Sequence, residues 1–183
     1  GDGVTDDTDA INRALFQLFC RQTNTTVRRS LYFPAGTYRV TQSIAVPPFA
    51  QLWGDGPNSA IIEMDVASDS SFGAYVMRTA DSLQQTGVNI GTNSATPPQA
   101  IVISGMTFMS VEDIDLVLVD RAEQVSFNNV NFEGPLLQSS LTSAGADLAG
   151  VRFDSTVAYT TKQIEFNNCK FSQLTYGINT DEN

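Results

Sequence analysis

Three eight-residue segments repeat one pattern of apolar and polar residues, and this repeat constrains the fold more than any other feature of the sequence. They cover residues 101–108, 125–132 and 164–171, and they align without gaps. Places 1, 3, 6 and 8 are apolar in all three, whereas places 4 and 5 are Ser-Gly, Asn-Asn and Asn-Asn. Because strand side chains alternate between two faces, this change of phase predicts a bend between two short strands that both point inward. Asn and Gly tolerate the left-handed backbone that such a bend needs.

The spacing of the repeats indicates stacked coils. The segments start at residues 101, 125 and 164, so they are 24 and 39 residues apart. We interpret 24 residues as one turn of a solenoid, and 39 as one turn plus an insertion of about 15 residues within 133–149. Stacking at about 4.8 Å would form two apolar ladders, Phe108 with Phe132 and Phe171, and Ile103 with Phe127 and Phe166, and would place Asn128 over Asn167. A sandwich or jelly roll is the alternative all-β fold, but it does not predict an in-phase repeat.

A helix is predicted near the start of the chain. Its apolar residues follow helical spacing, and Asp6 is suited to the N-cap; they are Ile11, Ala14, Leu15, Leu18 and Phe19. We expect a helix over about residues 7–20 that covers the open strand edges at one end of the solenoid. The chain is then one domain, with a capping segment over 1–29 and coils over 30–183.

Three short motifs carry a family resemblance. Residues 1–8 read GDGVTDDT, residues 31–38 read LYFPAGTY, and residues 52–56 read LWGDG. Together they resemble the opening of the pectate-lyase-like superfamily, which includes polysaccharide lyases, polygalacturonase-like hydrolases, and phage tailspikes and tail fibres. The resemblance implies an all-β fold, a right-handed single-stranded parallel β-helix with an N-terminal capping α-helix. The chain starts at Gly1 without a Met, and we expect it to be a truncated fragment of a longer protein.

Composition excludes several classes of function. The net charge is −10 with only 10 Lys and Arg residues, which disfavours nucleic acid as a partner. No apolar run approaches the ~20 residues of a membrane span, so no membrane insertion is expected. The chain has no His, so acid–base chemistry would depend on carboxylates, Tyr or Lys. Cys20 and Cys169 are far apart in sequence, and we expect both to be reduced and buried.

One pair of carboxylates is a candidate for catalysis. Residues 117–120 and 151–154 form a weaker repeat that ends in Asp120 and Asp154, and residues 176–179 follow in the next coil. If these segments stack, the two carboxyl groups lie one coil apart, and repulsion raises the pKa of one of them. Glycoside hydrolysis uses two carboxyl groups roughly 5–9.5 Å apart. We therefore predict Asp120 and Asp154 as catalytic residues, with strand-ending turn aspartates as the alternative.

The remaining candidates concern ligands. Arg152, Tyr159 and Asn179 are predicted to contact substrate, and Arg152 and Arg121 could neutralise the aspartate pair. Tyr159 is the best solvent-facing aromatic, whereas Trp53 is assigned to the fold because it lies in the LWGDG motif. No cofactor and no metal site are predicted. Calcium at the acidic turn of Glu112, Asp113 and Asp115 is conceivable, but a solvated loop is favoured there.

These observations lead to a first functional hypothesis and two alternatives. We expect a carbohydrate-engaging module of a phage tail fibre or tailspike that binds host-surface glycan as a homotrimer, in a virion tail or outside the cell. The grounds are the resemblance, the low content of charged residues and the lack of a complete active site. A polysaccharide lyase or glycoside hydrolase that uses carboxylates is the first alternative, and a structural spacer without a ligand is the second. The partner in the first two cases is a cell-surface or extracellular polysaccharide.

Overall fold

The chain winds as a right-handed parallel β-helix. A computed structural model describes residues 1–20, 29–65, 75–81, 98–135, 148–154 and 161–180. Its elements are, in chain order, β1 Asp2–Asp6, α1 Thr8–Leu15, a π-helical turn Phe16–Cys20, β2 Leu31–Phe33, β3 Gly36–Val40, β4 Ile44–Val46, β5 Gln51–Gly54, β6 Ala60–Met64, β7 Tyr75–Thr79, β8 Gln99–Ser104, β9 Thr107–Ser110, β10 Asp115–Asp120, β11 Glu123–Asn128, β12 Asn131–Glu133, β13 Ala149–Asp154, β14 Lys162–Asn167, β15 Lys170–Ser172 and β16 Tyr176–Asn179.

The strands form three parallel sheets that run the length of the solenoid. Sheet 1 has the order β2-β5-β8-β11-β14, sheet 2 the order β1-β3-β6-β9-β12-β15, and sheet 3 the order β4-β7-β10-β13-β16. Each coil gives one strand to each sheet, and the described strands after β1 group into five coils. The predicted all-β parallel β-helix is therefore confirmed, and the antiparallel alternatives are wrong.

The three octapeptides stack in the register that their sequences predict. Val125 pairs with Ile101 and Ile164, and Phe132 pairs with Phe108 and Phe171. The bend at place 5 is left-handed each time, with φ of 67° at Gly105, 54° at Asn129 and 53° at Asn168. The short polar side chain of Asn supports this conformation where a bulkier residue would be strained.

Stacking generates aromatic and amide ladders. The rings of Phe127 and Phe166 stack with centroids 5.2 Å apart, and those of Phe132 and Phe171 stack at 4.7 Å. Asn167 Nδ2 donates to Asn128 Oδ1 at 3.0 Å. Each fully buried inward ring contributes strongly to stability, since truncating one buried Phe to Ala typically costs about 3–5 kcal/mol. The amide ladder uses one side-chain hydrogen bond between these two coils.

The opening segment covers one end of the solenoid. Helix α1 buries Ile11 and Leu15. Asn12 Nδ2 donates to the Ser43 carbonyl at 3.2 Å, and the Ala45 N–H donates to Asn12 Oδ1 at 2.9 Å. The Asn12 side chain thus forms hydrogen bonds with backbone groups at the edge strand β4. In sheet 2 the edge strand is β1, which pairs with β3.

The predicted helix over about 7–20 corresponds to α1 followed by the π-helical turn. Its first residue is Thr8, whose N–H and hydroxyl both donate to Asp6 Oδ1, at 3.0 and 2.6 Å. The N-cap position is held by Asp7, without a side-chain capping bond, so the prediction of Asp6 at the N-cap is wrong, although Asp6 still accepts from the first helical residue.

Two of the family motifs are tied together between the first and second coils. The Asp55 carboxylate accepts the Ala35 N–H at 2.9 Å and the Tyr32 hydroxyl. Gly54 packs so closely on the next coil that a Cβ there would lie 2.3 Å from the Gly105 carbonyl oxygen. In the LWGDG motif, Gly54 thus allows close stacking of backbones and Asp55 links the first two coils. The tryptophan takes part in neither contact.

The insertion predicted within 133–149 is divided between two places. Register partners in sheet 3 are 34 residues apart at Asp120 and Asp154, whereas Asn128 and Asn167 in sheet 1 are 39 apart. Five of the extra residues therefore lie between β13 and β14 rather than before β13. Most of the predicted insertion, residues 136–147, lies outside the described part of the chain.

Candidate functional site

The predicted aspartate pair occupies the ends of two neighbouring strands of sheet 3. Asp120 closes β10 and Asp154 closes β13, and the two are direct register partners. Neighbouring strands lie about 4.8 Å apart, so these positions are adjacent. The predicted shared column is confirmed, although the exposure differs, because Asp154 is exposed whereas Asp120 is half-buried.

Arg121 neutralises Asp120. Its Nε lies 2.9 Å from both carboxylate oxygens, and a terminal nitrogen lies 2.8 Å from Oδ2. Burial raises the pKa of Asp120, the Arg121 hydrogen bond opposes this rise, and the charge of Asp154 adds to it. A carboxylate held in this way must exchange its partner before it can act as acid or nucleophile. The catalytic role of Asp120 and Asp154 stays a prediction.

Arg152 pairs with Asp115 rather than with the aspartate pair. Its Nε donates to Asp115 Oδ2, and the Ala149 N–H donates to Oδ1 of the same carboxylate at 2.7 Å. Both partners of the ion pair are mostly buried, with side chains 22% and 13% exposed. This arrangement favours a structural part for Arg152 over its predicted contact with substrate.

Asn179 lies two residues away from its predicted place. Val151 pairs with Ile178, so Asn179 lies beside Arg152 and not beside Asp154, and the expected alignment of residues 176–179 is wrong. Asn179 is only 4% exposed, which also favours a structural part. Tyr159 lies outside the described residues, and the substrate roles of Arg152, Tyr159 and Asn179 stay predictions.

The acidic turn has local protein partners. Asp115 is bound by Arg152, and the Glu112 N–H donates to Ser110 Oγ at 3.0 Å. Across the described ranges, no three or more His, Cys, Asp or Glu side chains have a spacing that could hold a metal ion. Cys20 and Cys169 are both half-buried, and burial raises the pKa of Cys20 to about 11, so it is a neutral thiol near pH 7.

The outer face of sheet 1 presents two aromatic side chains to solvent. Tyr32 in β2 and Trp53 in β5 are register partners, and they are 55% and 46% exposed. Leu52 and Phe33, their neighbours along the strands, are buried on the opposite face. Trp53 is therefore a surface residue and not part of the buried core. Strand alternation carried the missing signal, because Trp53 follows the inward residue Leu52.

The same line across sheet 1 continues with neutral polar residues. We call it the outer column, and its members are Tyr32, Trp53, Ser104, Asn128 and Asn167. Ser104 Oγ donates to the Asn128 carbonyl at 3.2 Å, and the Asn167 amide donates to Asn128 Oδ1. The outer column thus offers ring faces in two coils and amide groups in two, whereas Ser104 between them is only 8% exposed.

The outer column has the chemistry of a sugar-binding surface. An aromatic ring packs against the apolar face of a pyranose, while amides and hydroxyls both donate to and accept from sugar hydroxyls. The Tyr32 hydroxyl donates to Asp55, which fixes the ring, and this bond raises the pKa of Tyr32. Tyr32 therefore offers a held ring rather than a titrating phenol.

The capped solenoid defines a right-handed parallel β-helix protein. A family model described as rhamnogalacturonase A/epimerase, pectate lyase-like, matches residues 1–183. The chain belongs to this family. Within the described ranges, no helix has the length and apolarity needed to cross a membrane.

Two curated relatives are fungal glucanases by description. A probable glucan endo-1,3-beta-glucosidase of Arthroderma benhamiae is 26% identical over 92% of this chain and 21% of its own length. A glucan 1,3-beta-glucosidase of Cochliobolus carbonum is 37% identical over 40% of this chain and 8% of its own length. The chain therefore spans only about a fifth of the first relative.

One solved structure supports the fold. The ORF18 protein of Geobacillus virus E2 superposes with a TM-score of 0.63 at 19% identity, over 93% of this chain and 34% of that one. At this identity the similarity concerns the fold alone.

Proposed function

We propose that this chain is a carbohydrate-engaging β-helix module that binds a neutral β-glucan on the outer column of sheet 1. The observation that carries the proposal is the exposed Tyr32–Trp53 pair on adjacent strands. The two rings are adjacent, and a contiguous exposed apolar patch is a surface feature that marks interaction and ligand sites. The names of both curated relatives contain 1,3-β-glucan as the class of substrate, which suggests the polysaccharide to test first.

The described residues favour binding over cleavage on this surface. The outer column lies on sheet 1 and crosses β11 at Asn128, whereas Asp120 and Asp154 end strands β10 and β13 of sheet 3. Asp120 is also held by Arg121. Any hydrolysis by a longer protein would then act on a glycan that this module holds.

A binding experiment tests the proposal directly. Purified chain is titrated against soluble 1,3-β-glucan by calorimetry, and Trp53→Ala is compared with the parent. We expect about a fivefold or larger loss of affinity, because an aromatic stacking contact, as measured for nucleic-acid bases, is worth about 1–3 kcal/mol. Tyr176→Ala is the matched control, since Tyr176 is equally exposed at 46% but lies in sheet 3. Absence of glycan binding, or equal effects of both substitutions, would refute the proposal.

A second candidate function is glycoside hydrolysis or lyase chemistry at Asp120 and Asp154. It is favoured by their direct pairing and by the raised pKa of Asp120. The chain is incubated with 1,3-β-glucan and with pectic polysaccharide, and new reducing ends and unsaturated products are measured. Turnover that is lost in Asp120→Asn and in Asp154→Asn supports this function, and no turnover by the parent removes it.

The biological setting of the module is part of the proposal. A phage tail fibre or tailspike that binds host-surface glycan as a homotrimer, and an extracellular enzyme, both need a polysaccharide-binding β-helix. Light scattering of the full-length protein distinguishes a trimer from a monomer, and a panel of bacterial surface glycans beside 1,3-β-glucan distinguishes the ligands. A structural spacer would bind none of them.

A further inference from the structure

We infer that Asp55 is the positioning residue of the glycan-binding surface, because its carboxylate holds the ring of Tyr32 beside Trp53 before a ligand arrives. We call these two rings the aromatic platform. The inference rests on the proposed binding function and adds a residue that shapes the site without touching the glycan. It is carried by the side-chain bond between Tyr32 and Asp55, which joins the first coil to the second.

The side chain of Tyr32 is held at both ends. Its backbone lies in β2, where Tyr32 pairs with Trp53 of β5, and its hydroxyl donates to Asp55 Oδ1. A side chain that is 55% exposed would otherwise change rotamer freely. The bond to Asp55 therefore restricts an exposed ring to one orientation.

Asp55 is itself fixed to the first coil. Its backbone N–H donates to the Phe33 carbonyl at 3.2 Å, and its Oδ2 accepts the Ala35 N–H at 2.9 Å. With the bond from Tyr32, Asp55 thus has hydrogen bonds to three residues within 32–35. The carboxylate is a fixed point, and it can fix the ring that donates to it.

The neighbours of Trp53 in sheet 1 do not extend the aromatic platform. The next member of the outer column is Ser104, which is only 8% exposed and donates its hydroxyl to the Asn128 carbonyl. Along β5, the outward residue next to Trp53 is Gln51, which has no ring. The orientation of Tyr32 relative to Trp53 therefore decides how much aromatic surface a sugar meets here.

A ring that is fixed before binding should strengthen binding. A ligand that stacks on a mobile side chain must order it, and for a Tyr, with only two χ angles, this weakens affinity by about two- to fivefold. Asp55 orders the ring of Tyr32 when the chain folds. The same bond raises the pKa of Tyr32, so the phenol keeps the proton that it donates to Asp55.

A double-mutant cycle tests the inference. Affinity for soluble 1,3-β-glucan is measured through the fluorescence of Trp53, the single tryptophan of the chain, which reports from the site itself. We expect Asp55→Ala and Tyr32→Phe each to weaken binding about two- to fivefold. The double variant should bind no more weakly than either single variant, because both substitutions remove the same bond.

Two matched controls lie beside sheet 2 in the same two coils. Asp65 directly follows a strand of the second coil, as Asp55 does, and Arg39 of the first coil donates to it at 2.7 Å. The Tyr38 hydroxyl donates to the Pro34 carbonyl at 2.9 Å. Asp65→Ala and Tyr38→Phe remove comparable bonds away from the aromatic platform, and both should leave the Kd unchanged.

The ionisation of Tyr32 shows whether the bond exists in solution. Phenolate absorbance is followed against pH in the parent, in Asp55→Ala and in Tyr32→Phe, and the last of these isolates the contribution of Tyr32. We expect the pKa of Tyr32 to fall towards its ordinary value in Asp55→Ala, because the carboxylate that accepts its hydroxyl is gone. An unchanged pKa would overturn the inference. If Asp55→Ala folds poorly, Tyr32→Phe, which lacks one hydroxyl, carries the binding test.

The outcomes separate this inference from the proposed function. If Trp53→Ala weakens binding but Tyr32→Phe does not, the positioning role of Asp55 is wrong and the binding function stands. The same holds if the effects of Asp55→Ala and Tyr32→Phe multiply in the double variant, or if Asp65→Ala weakens binding as much as Asp55→Ala. If the parent binds no glycan, the proposed function itself fails.

Discussion

The outer column of sheet 1 and the charged groups of sheet 3 are made by the same device, yet they differ in what they leave open to a ligand. In both, the parallel register brings equivalent positions of successive coils together. The outer column combines exposed rings with neutral amides. The charged set of sheet 3 consists of Asp115, Asp120, Arg121, Arg152 and Asp154, and in it two of the three acids are held by arginines.

The difference follows from how an amide or a carboxylate interacts with a second group of the same kind in the next coil, about 4.8 Å away. An amide donates to the next amide, as Asn167 does to Asn128, and still has hydrogen-bonding capacity. A carboxylate repels its copy, so Asp120 beside Asp154 requires the cation of Arg121. Repetition therefore leaves spare hydrogen-bonding capacity where the repeated group is neutral, and gives a structural ion pair where it is charged.

The largest expected effect separates the two regions by stability. Asp115→Asn should lower the free energy of unfolding by about 1.5–3 kcal/mol, because a charged acceptor is lost and the mostly buried Arg152 remains. Glycan affinity should be unchanged, since Asp115 lies outside the outer column. Urea denaturation at pH 7 and calorimetry on the same samples measure the two quantities.

Glu123→Gln is the control for Asp115→Asn. Glu123 pairs with Lys162 at 3.2 Å, but the two side chains are largely solvated. Its loss should cost less than about 1 kcal/mol. Equal destabilisation by both substitutions would show that the Asp115–Arg152 pair is not the stronger contact.

The sequence identified the fold because the octapeptides combine three signals at the same positions. Alternation, the phase shift and Asn or Gly at the bend all point to one geometry, and the left-handed φ of Asn129 and Asn168 bears this out. Other residues with a left-handed backbone could not be predicted from the sequence. Positive φ also occurs at equivalent places near the start of three strands of sheet 1, at Ala100, Gln124 and Gln163. Neither Ala nor Gln is a residue type that predicts a left-handed backbone.

The candidate site was harder to predict because side chains choose partners across coils. The register of Asp120 with Asp154 was readable from two similar segments. Arg152 could not be assigned to Asp115 from sequence, because the two are 37 residues apart and join neighbouring strands. The exposure of Trp53 was not predicted because its motif is structural at Gly54 and Asp55, while the tryptophan between Leu52 and Gly54 faces solvent.

A smaller effect is expected at the aspartate pair, and its sign depends on pH. Burial raises the pKa of Asp120 above its ordinary value of 3.8, so the folded state favours the neutral form. The stability from this group is present below pH 3.8 and is lost as the pH rises through the folded pKa. Asp120→Asn should therefore keep or raise the Tm at pH 7, and the difference should vanish below about pH 4.

Asp2→Asn supplies the opposite sign. Backbone N–H groups of Thr5 and Val4 hold the pKa of Asp2 at about 2, so its charged form is the favoured one in the folded state. This substitution should lower the Tm at pH 7, and the loss should diminish as the pH falls from 3.8 towards 2. A clear loss of Tm in Asp120→Asn at pH 7 would mean that the Arg121 pair outweighs the burial of the carboxylate.

The smallest expected effect is that of salt on glycan binding. Because the outer column is uncharged, raising NaCl from about 0.05 M to about 1 M should change the Kd for 1,3-β-glucan by less than twofold, although the screening length falls to about 3 Å. Tm measured over the same range should respond more, since solvated pairs such as Glu123–Lys162 are screened. A Kd that rose steeply with salt would mean that charged groups contact the glycan. The proposed contrast between a neutral binding column and the charged set of sheet 3 would then be wrong.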